Sequence, residues 1–437
     1  MLRMATASAH FGSPWVGRGQ PLVSPLGSIG LAVAEIGGSG VISYILHIVS
    51  HRRGHDAWLF TPKLVMKNGS LVKNPYGWTE FASIIYLESP IGVGFSYSTK
   101  NSDYNRIGDR STTLDNEMAL EKFLTKFPQY KTKDFYIMGE SYAGVYIPLL
   151  LSRLSKNPIF SPILKGAAIG NGMHNYKINF NTQMFFAHSH GLIGPYLWGQ
   201  ILSDCCNNIT EQCNFYATNN TDICALEISE VGDLIWLSRL NYYNLYKKCY
   251  YEAPAQFSHQ VLIESLPAKV RKNLKFPHSL KLTPDCQNDQ PLMDYLNKPE
   301  VISQIHVKLK NGIQWELCSE SVFQSYHKTV VNTDVYFNTF FNRLPAGKVM
   351  LYAGDIDMAC NFIGVQNFAQ SLNREVTNEY VPWEYHDPTD DSYQIGGFIR
   401  QFDRLSFVTI KGSGHMVPTD MPVPAQHMIK QFLDGKW

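Results

Sequence analysis

The chain has 437 residues, of which 44% are hydrophobic and 17% are charged, with 24 tyrosines and 24 phenylalanines. This composition excludes a disordered chain, and the length fits one large α/β domain with an insertion or roughly two to three smaller domains. The formal net charge is +1 and no long run of Lys or Arg occurs, which argues against nucleic acid as the main partner.

The N-terminal segment has no clean targeting signal. Residues 1–24 lack the continuous apolar core of a secretory signal peptide. Ser28–Ser50 is apolar enough for a membrane span, although Glu35 and several glycines weaken that interpretation. Three alternatives stay open for this stretch, namely a membrane span, a strand and helix of the core, or non-native sequence.

Short apolar runs, each followed by Gly or Pro, predict buried strands. These runs are Ser83–Leu87, Phe135–Met138, Ala167–Ile169, Val349–Tyr352 and Ser406–Ile410. Helical spacing predicts helices over Thr113–Phe127, with Asp115 as the N-terminal cap, and over Val145–Leu154. The alternation of strands and helices predicts an α/β fold with a mostly parallel central sheet and helices on both faces.

The stretch from residue 173 to 291 differs from its surroundings because it is rich in aromatic residues and helical sequence. We predict that it is an inserted cap over the carboxyl edge of the sheet, where ligands bind in open α/β folds. Four of the eight cysteines lie in it close together: Cys205, Cys206, Cys213 and Cys224. Cys205 and Cys206 are adjacent and no C-x-x-C spacing occurs, so disulfides formed in an oxidising compartment are expected rather than a metal site.

Three N-x-S/T sequences support the same compartment, because they are acceptors for N-linked glycans in secreted proteins. They begin at Asn68, Asn208 and Asn219, the last two beside the cysteines.

A candidate nucleophile lies in Gly139–Gly144, between a predicted strand and a predicted helix. In a sharp strand-to-helix turn the central Ser141 has strained backbone geometry, and only small residues two before and two after it avoid collision. Gly139 and Ala143 are small, although the second of these is usually Gly. The helix N-terminus would direct N–H groups at negative charge on a reacting carbonyl.

Two further strand ends carry the groups that a serine nucleophile needs. Val349–Tyr352 is followed by Asp355 and Asp357, and Ser406–Ile410 is followed by a glycine-rich loop ending at His415. The chain order Ser, Asp, His is that of α/β-hydrolases. The alternatives are loop capping for one of the two Asp residues and an ordinary loop histidine for His415.

The chain from about residue 62 to its end resembles the serine carboxypeptidases, the family of cathepsin A and carboxypeptidase Y. The matching sequences are Asn74–Ser98, Phe135–Pro148, Ala167–Gly172, Tyr352–Asn361 and Gly412–Pro422. The resemblance implies an α/β-hydrolase fold in which Ser141 is the nucleophile, His415 the base and Asp357 its orienting acid. It implies core segments at 62–172 and 292–437, an inserted cap at 173–291, and an atypical segment at 1–61.

By the same resemblance, the expected activity is release of C-terminal residues from peptides through an acyl-enzyme, without a cofactor or metal. Glu140 matches one of the paired Glu residues that grip the substrate carboxylate, which requires a shared proton and therefore favours acidic pH. The pocket would be lined by Met416 and by Cys360, which would be a buried free thiol. The N–H of Tyr142 would be one oxyanion donor. Asp355 would be a structural loop residue.

The family pattern also implies three disulfides and shows one departure. The implied pairs are Cys205–Cys224, Cys206–Cys213 and Cys249–Cys286, which leaves Cys318 without its N-terminal partner. The family's W-L-N-G-G-P-G-C-S-S motif, which supplies a second oxyanion N–H and a carboxylate-binding Asn, has no counterpart, with Gly37–Gly40 as the one glycine-rich substitute. We therefore expect an alternative transcript, an incomplete gene prediction or a degenerate copy, with missing strands and an uncovered sheet edge.

Two other functions compete with a peptidase. A non-catalytic binding or stabilising protein would keep the three residues without a competent oxyanion hole, and family members that stabilise glycosidases are a precedent. An acyltransferase on the same scaffold would pass the acyl group to an alcohol, although Glu140 favours a peptidase. The resemblance further implies a lysosomal, vacuolar or secreted protein, peptide substrates with a free C-terminus, and a homodimer.

Overall fold

The computed structural model describes residues 23–24, 27–28, 31–34, 41–45, 64–67, 70–217, 223–236, 240–249, 290–305, 307, 313–316 and 319–437. Its strands are β1 Val23–Ser24, β2 Gly27–Ser28, β3 Leu31–Ala34, β4 Val41–Ile45, β5 Leu64–Lys67, β6 Ser70–Lys73, β7 Ser83–Leu87, β8 Asp134–Glu140, β9 Leu164–Gly170, β10 Lys348–Gly354, β11 Val376–Asp387, β12 Ser392–Phe402 and β13 Leu405–Ile410. Its α-helices are α1 Asp109–Lys126, α2 Ala143–Leu154, α3 Tyr176–Ser189, α4 Pro195–Cys206, α5 Ile223–Trp236, α6 Gln290–Leu296, α7 Pro299–Gln304, α8 Glu320–Ser325, α9 Asp334–Arg343, α10 Phe362–Ser371, α11 Val417–Asp420 and α12 Pro422–Leu433.

In the described part of the chain, nine strands form one sheet in the order β11-β12-β13-β10-β9-β8-β4-β7-β3. The six strands from β13 to β7 are parallel to one another. The outer strands β12, β11 and β3 pair antiparallel. The predicted mostly parallel sheet is therefore confirmed, and all five predicted strands belong to it.

The central strands are mostly apolar because both faces of the sheet are covered, as in other parallel sheets. Along β8, Phe135 and Ile137 pack in one core with α1, α2, α9 and α10. The alternate residues Tyr136 and Met138 pack in a second core with α12 on the opposite face. Successive side chains of a strand point to opposite faces, so one apolar run supplies both cores.

The N-terminal segment contributes to the sheet. β4 lies between β8 and β7, and β3 pairs with the outer side of β7. The expectation of missing strands is therefore wrong here, since residues 31–34 and 41–45 supply them. Among the residues that the structure describes, no helix is long and apolar enough to cross a membrane. The glycine-rich stretch Gly37–Gly40 lies outside the described residues.

Helix α1 begins earlier than its sequence indicated. Its N-cap is Gly108, whose N–H donates to the Ser111 hydroxyl at 3.0 Å. The prediction of Asp115 as the cap is wrong, because that residue lies inside the helix, on its second turn. Burial raises the pKa of Asp115 to about 6, which reflects a half-buried carboxyl rather than a cap.

The helices α3, α4 and α5 fall in the segment predicted as a cap. Their apolar side chains, among them Phe180, Ile201 and Ile228, form a core together with Tyr242 and Met358. Met358 follows strand β10, so this helical layer packs against the carboxyl edge of the sheet.

Candidate active site

The carboxyl ends of four neighbouring parallel strands carry the predicted site residues. The register aligns Glu140 of β8 with Gly170 of β9, and Gly170 with Tyr352 of β10. β13 continues the row, because its Ile410 pairs with Gly354 at the end of β10. The segments with Ser141, Asp357 and His415 therefore all leave the sheet at the same edge.

Ser141 occupies a strained turn between β8 and α2. Its φ of 64° lies in the left-handed region, which a residue with a side chain rarely adopts. Three backbone hydrogen bonds hold it there: its N–H donates to the Gly170 carbonyl at 3.0 Å, and its carbonyl accepts from Gly144 and Met173 at 2.9 Å each. A Cβ on Gly144 would lie 2.5 Å from the Met173 nitrogen, so this close approach requires glycine.

Asp357 and His415 form a buried hydrogen-bonded pair. The His415 Nδ1 lies 2.6 Å from Oδ2 of Asp357, and the two residues are 4% and 0% exposed. With Nδ1 as the donor to a carboxylate, Nε2 is the ring nitrogen that faces away from Asp357 and can accept a proton. Backbone N–H groups of Ala359 and Cys360 also donate to Asp357, at 2.9 and 3.2 Å.

Asn171 is a site residue that the sequence analysis missed. It is fully buried, and its Nδ2 donates to Asp357 Oδ2 at 2.8 Å while its Oδ1 accepts the Gly354 N–H at 3.0 Å. Its φ of 40° suits Asn better than most residues. The signal in the sequence is an Asn between two glycines directly after strand β9, within the matching sequence Ala167–Gly172.

A segment from Leu240 to Cys249, here called the strap, contacts the loop that carries His415. The Tyr243 carbonyl accepts the His415 backbone N–H at 2.7 Å, and the two rings lie 4.6 Å apart. The strap also reaches the loop after β10, where the Met358 N–H donates to the Tyr242 carbonyl at 2.9 Å. The strap therefore bridges the loops of Asp357 and His415, and no sequence pattern predicts this contact.

Asp355 and Asp357 have different surroundings. Oδ1 of Asp355 accepts the N–H of Gly412 at 2.7 Å, at the start of the loop that ends at His415. Burial raises the pKa of the Asp355 carboxyl. Asp355 therefore connects the loop after β10 to the loop that carries His415.

The three predicted pocket residues are buried near the pair. Glu140 ends β8 at 5% exposure, and Cys360 and Met416 are each 4% exposed. Burial raises the pKa of the Tyr352 hydroxyl well above its ordinary value, and the charge of Glu140 adds to that increase. Cys360 remains a thiol, and its carbonyl lies 3.4 Å from the Asn171 amide.

Tyr142 is the residue before helix α2 and has helical backbone angles. Its N–H lies at the N-terminus of that helix, the end that favours negative charge. Its ring is buried, and its hydroxyl donates to Oδ1 of Asp109 at 3.0 Å.

Disulfides cross-link the helical layer. Cys205–Cys224 and Cys206–Cys213 are bonded, and Cys249 is also in a disulfide. Four residues of the sequence predictions lie outside the described residues. They are Cys286, the expected partner of Cys249; Cys318, which was expected to lack a partner; and the glycan acceptors Asn68 and Asn219. The remaining acceptor, Asn208, is exposed after α4. In the described part of the chain, no group of three or more His, Cys, Asp or Glu residues could hold a metal ion.

Comparison with known proteins identifies relatives over most of this chain. A sequence model of the serine carboxypeptidases matches residues 61–435. The lysosomal protective protein of Mus musculus is 35% identical over 392 residues, covering 85% of this chain and 79% of that protein. The serine carboxypeptidase ctsa-4.1 of Caenorhabditis elegans is 37% identical over 374 residues, covering 84% and 77%.

Among solved structures, a prohormone-processing carboxypeptidase from Saccharomyces cerevisiae matches with a TM-score of 0.69 and 19% identity, over 97% of this chain and 89% of that one. This likeness confirms the α/β-hydrolase fold. The family model and the curated relatives go further than the fold, and by them this chain belongs to the serine carboxypeptidase family.

Proposed function

We propose that this protein releases C-terminal residues from peptides by serine catalysis, most efficiently at acidic pH. The observation that carries the proposal is the buried hydrogen bond between Asp357 and His415, at the sheet edge where the strained Ser141 also lies. Membership in the serine carboxypeptidase family supports the same activity.

In the proposed reaction the Ser141 hydroxyl attacks the carbonyl of the last peptide bond, and Nε2 of His415 takes its proton. Asp357 stabilises the resulting imidazolium and keeps the ring in the required tautomer. The N–H of Tyr142 at the start of α2 donates to the oxyanion. His415 then protonates the departing amine, and water hydrolyses the acyl-enzyme by the reverse path.

Recognition of a free C-terminus is assigned to Glu140, which directly precedes the nucleophile and is buried. Two carboxyl groups can hydrogen-bond only when one carries a proton, because two buried negative charges repel each other. Substrate binding should therefore weaken as pH rises, with Cys360 and Met416 completing the walls of the pocket.

A fluorophosphonate probe tests the nucleophile directly, because it reacts with an activated serine. We expect the folded protein to be labelled at Ser141, and Ser141→Ala to lose both the label and the release of C-terminal residues. Folded protein that takes no label would contradict the proposal and favour the non-catalytic binding role. Transfer to an added alcohol instead of water would identify an acyltransferase.

The carboxylate assignment needs its own comparison, between a peptide acid and the matching peptide amide. We expect the acid to be preferred, and its KM to rise from pH 5 to pH 7.5. Glu140→Gln keeps a donor at every pH, so the KM should change less with pH. Glu384→Gln, an exposed position on β11, is the matched control. An unchanged pH dependence in Glu140→Gln would refute the assignment.

The disulfides and the mouse relative's name favour a lysosomal, vacuolar or secreted location. Peptides with a free C-terminus are the proposed substrates. The homodimer and the glycosidase partners stay predictions from the resemblance.

A further inference from the structure

Asp109 is a buried acid that the proposed mechanism does not use. It is the first residue of α1 and is 0% exposed. Its Oδ2 accepts the backbone N–H groups of Thr329 and Val330 at 2.6 and 2.9 Å, with the Thr329 hydroxyl at 3.3 Å. Its Oδ1 accepts the Tyr142 hydroxyl at 3.0 Å. One side chain thus joins α1, the loop before α9 and the residue after the nucleophile.

Burying a carboxylate in this position lowers the free energy of unfolding unless its contacts compensate. No ion pair to Asp109 occurs among the residues that the structure describes, so neutral donors and the N-terminus of α1 are its described stabilising contacts. Buried ionic groups commonly contribute less to stability than well-packed apolar residues of the same size. This points to a role in geometry rather than stability.

The Tyr142 side chain is fixed at both of its ends. Its ring packs edge-on against Tyr146 and Tyr326, with centroids 4.9 and 6.2 Å away. Its hydroxyl is tied to Asp109, which is itself fixed by two backbone N–H groups. Because the ring and the hydroxyl are both held, the Tyr142 backbone has little freedom to rotate, and this is the backbone whose N–H faces the oxyanion in the proposed reaction.

We propose that Asp109 is a positioning residue for the oxyanion hole, acting through the Tyr142 hydroxyl on the direction of the Tyr142 N–H. The inference rests on the proposed peptidase function. Loss of an oxyanion donor costs about 10²–10³ in kcat. A donor that is misdirected rather than lost should cost less, about 10–100-fold, with little change in KM because the ground-state substrate does not need it.

The test uses Tyr142→Phe, which removes only the hydroxyl, and Asp109→Asn. Asp103→Asn is the matched control, because Asp103 is also a buried acid, 4% exposed, bonded to Ser98 and Arg106. Each protein is assayed for kcat and KM on a peptide acid, and for binding of a peptide aldehyde, which forms a tetrahedral adduct, and of the product peptide.

We expect both Tyr142→Phe and Asp109→Asn to lose at least tenfold in kcat and in aldehyde affinity, with product affinity and KM within about twofold. The double variant should be no worse than the worse single variant, because Asp109 acts on the oxyanion hole only through the Tyr142 hydroxyl. The control should keep wild-type values. A folded Tyr142→Phe with wild-type kcat and aldehyde affinity would overturn the proposal even if Asp109→Asn fails to fold. If the wild-type protein itself releases no C-terminal residue, the proposed function fails, and the inference fails with it.

Discussion

Asn171 helps to hold the acid of the buried Asp357–His415 pair in position. Asp357 accepts four described hydrogen bonds, and Asn171 supplies the one side-chain donor other than His415. The side-chain oxygen of Asn171 in turn accepts the Gly354 N–H at the end of β10. Because Asn171 follows β9 and Asp357 follows β10, two adjacent strand ends set the position of the carboxylate.

We predict that Asn171→Gly, which tolerates the positive φ, lowers kcat/KM. Without the amide donor, Asp357 loses a hydrogen bond that holds its carboxyl in position against the His415 ring. A hydrogen bond to a charged group is worth about 1.5–3 kcal/mol, so kcat/KM should fall by about tenfold or more.

Steady-state kinetics on a peptide acid measure kcat/KM, with Asn179→Gly as the control. Asn179 also donates to a carbonyl of the loop after Asp357, Ala359 at 3.1 Å, but has no described hydrogen bond to Asp357. Equal losses in the two variants would contradict a role through the Asp357 hydrogen bond.

At this scale, apolar runs in the sequence indicate Ser141, His415 and the two acids Asp355 and Asp357, because each follows such a run. Only the family resemblance selects Asp357 from the two acids. Asn171 and Asp109 could not be separated from ordinary loop and helix-start residues. An Asn beside glycines is typical of turns, and an acid in the first turn of a helix is favoured by the helix dipole alone. Their importance depends on partners distant in the chain, Asp357 and Tyr142.

At the scale of elements, prediction succeeded where burial was complete. Strands such as β8 and β13 are buried in nearly every position and mostly apolar, so their sequences are distinctive. The hairpin of β11 and β12 was not predicted. The first seven residues of β11 are exposed, and its pairing register with β12 is irregular. Its sequence therefore shows neither a continuous nor a strictly alternating apolar pattern. The strap has no regular secondary structure and left no periodic signal.

Asp420, whose side chain is 1% exposed, connects the strap to the His415 loop. Its Oδ2 accepts the Asn244 amide and the Gly414 N–H at 2.8 Å each, and its Oδ1 pairs with Lys247. We predict that Asp420→Ala destabilises the fold by about 2–3 kcal/mol, since it leaves buried donors unsatisfied, and lowers kcat by loosening His415.

Lys247→Ala separates the two contributions of this contact. The Lys247 side chain is 48% exposed, and exposed ion pairs contribute about 0–1 kcal/mol, so its loss should leave unfolding and kcat nearly unchanged. Urea unfolding and kcat of both variants measure the difference. Equal effects in the two variants would mean that the ion pair, not the buried hydrogen bonds, holds the strap.

For the whole molecule, two buried groups, Glu227 and His174, have opposite effects on the stability of the fold at acidic pH. Burial, with the nearby charges of Asp204 and Glu230, raises the pKa of Glu227 to about 7. The folded state therefore takes up this proton at a higher pH than the unfolded chain, and folding is favoured as pH falls through that range. His174 has the opposite effect, because burial lowers its pKa to about 3.

His174 is enclosed between Phe368, whose ring stacks on it at 4.7 Å, and Phe337 at 5.7 Å. It follows Met173, whose N–H holds the Ser141 carbonyl. The folded state keeps the ring neutral, while the unfolded chain binds a proton below its ordinary pKa of 6.5. Stability is therefore fully present above that pH and is lost as pH falls toward 3, by about 2 kcal/mol at pH 5.

We predict that His174→Gln, which does not titrate, loses less stability than the wild-type protein when pH is lowered from 7.5 to 5. The difference should be about 2 kcal/mol, whatever the substitution costs at pH 7.5 through altered packing. Urea unfolding at both pH values measures it, and His386→Gln, on the exposed hairpin, controls for removal of one histidine. A parallel loss in His174→Gln and wild type would mean that His174 stays neutral in the unfolded chain or is protonated in the fold. A smaller loss in His174→Gln would mean that the neutral, buried His174 lowers the stability of this fold at acidic pH.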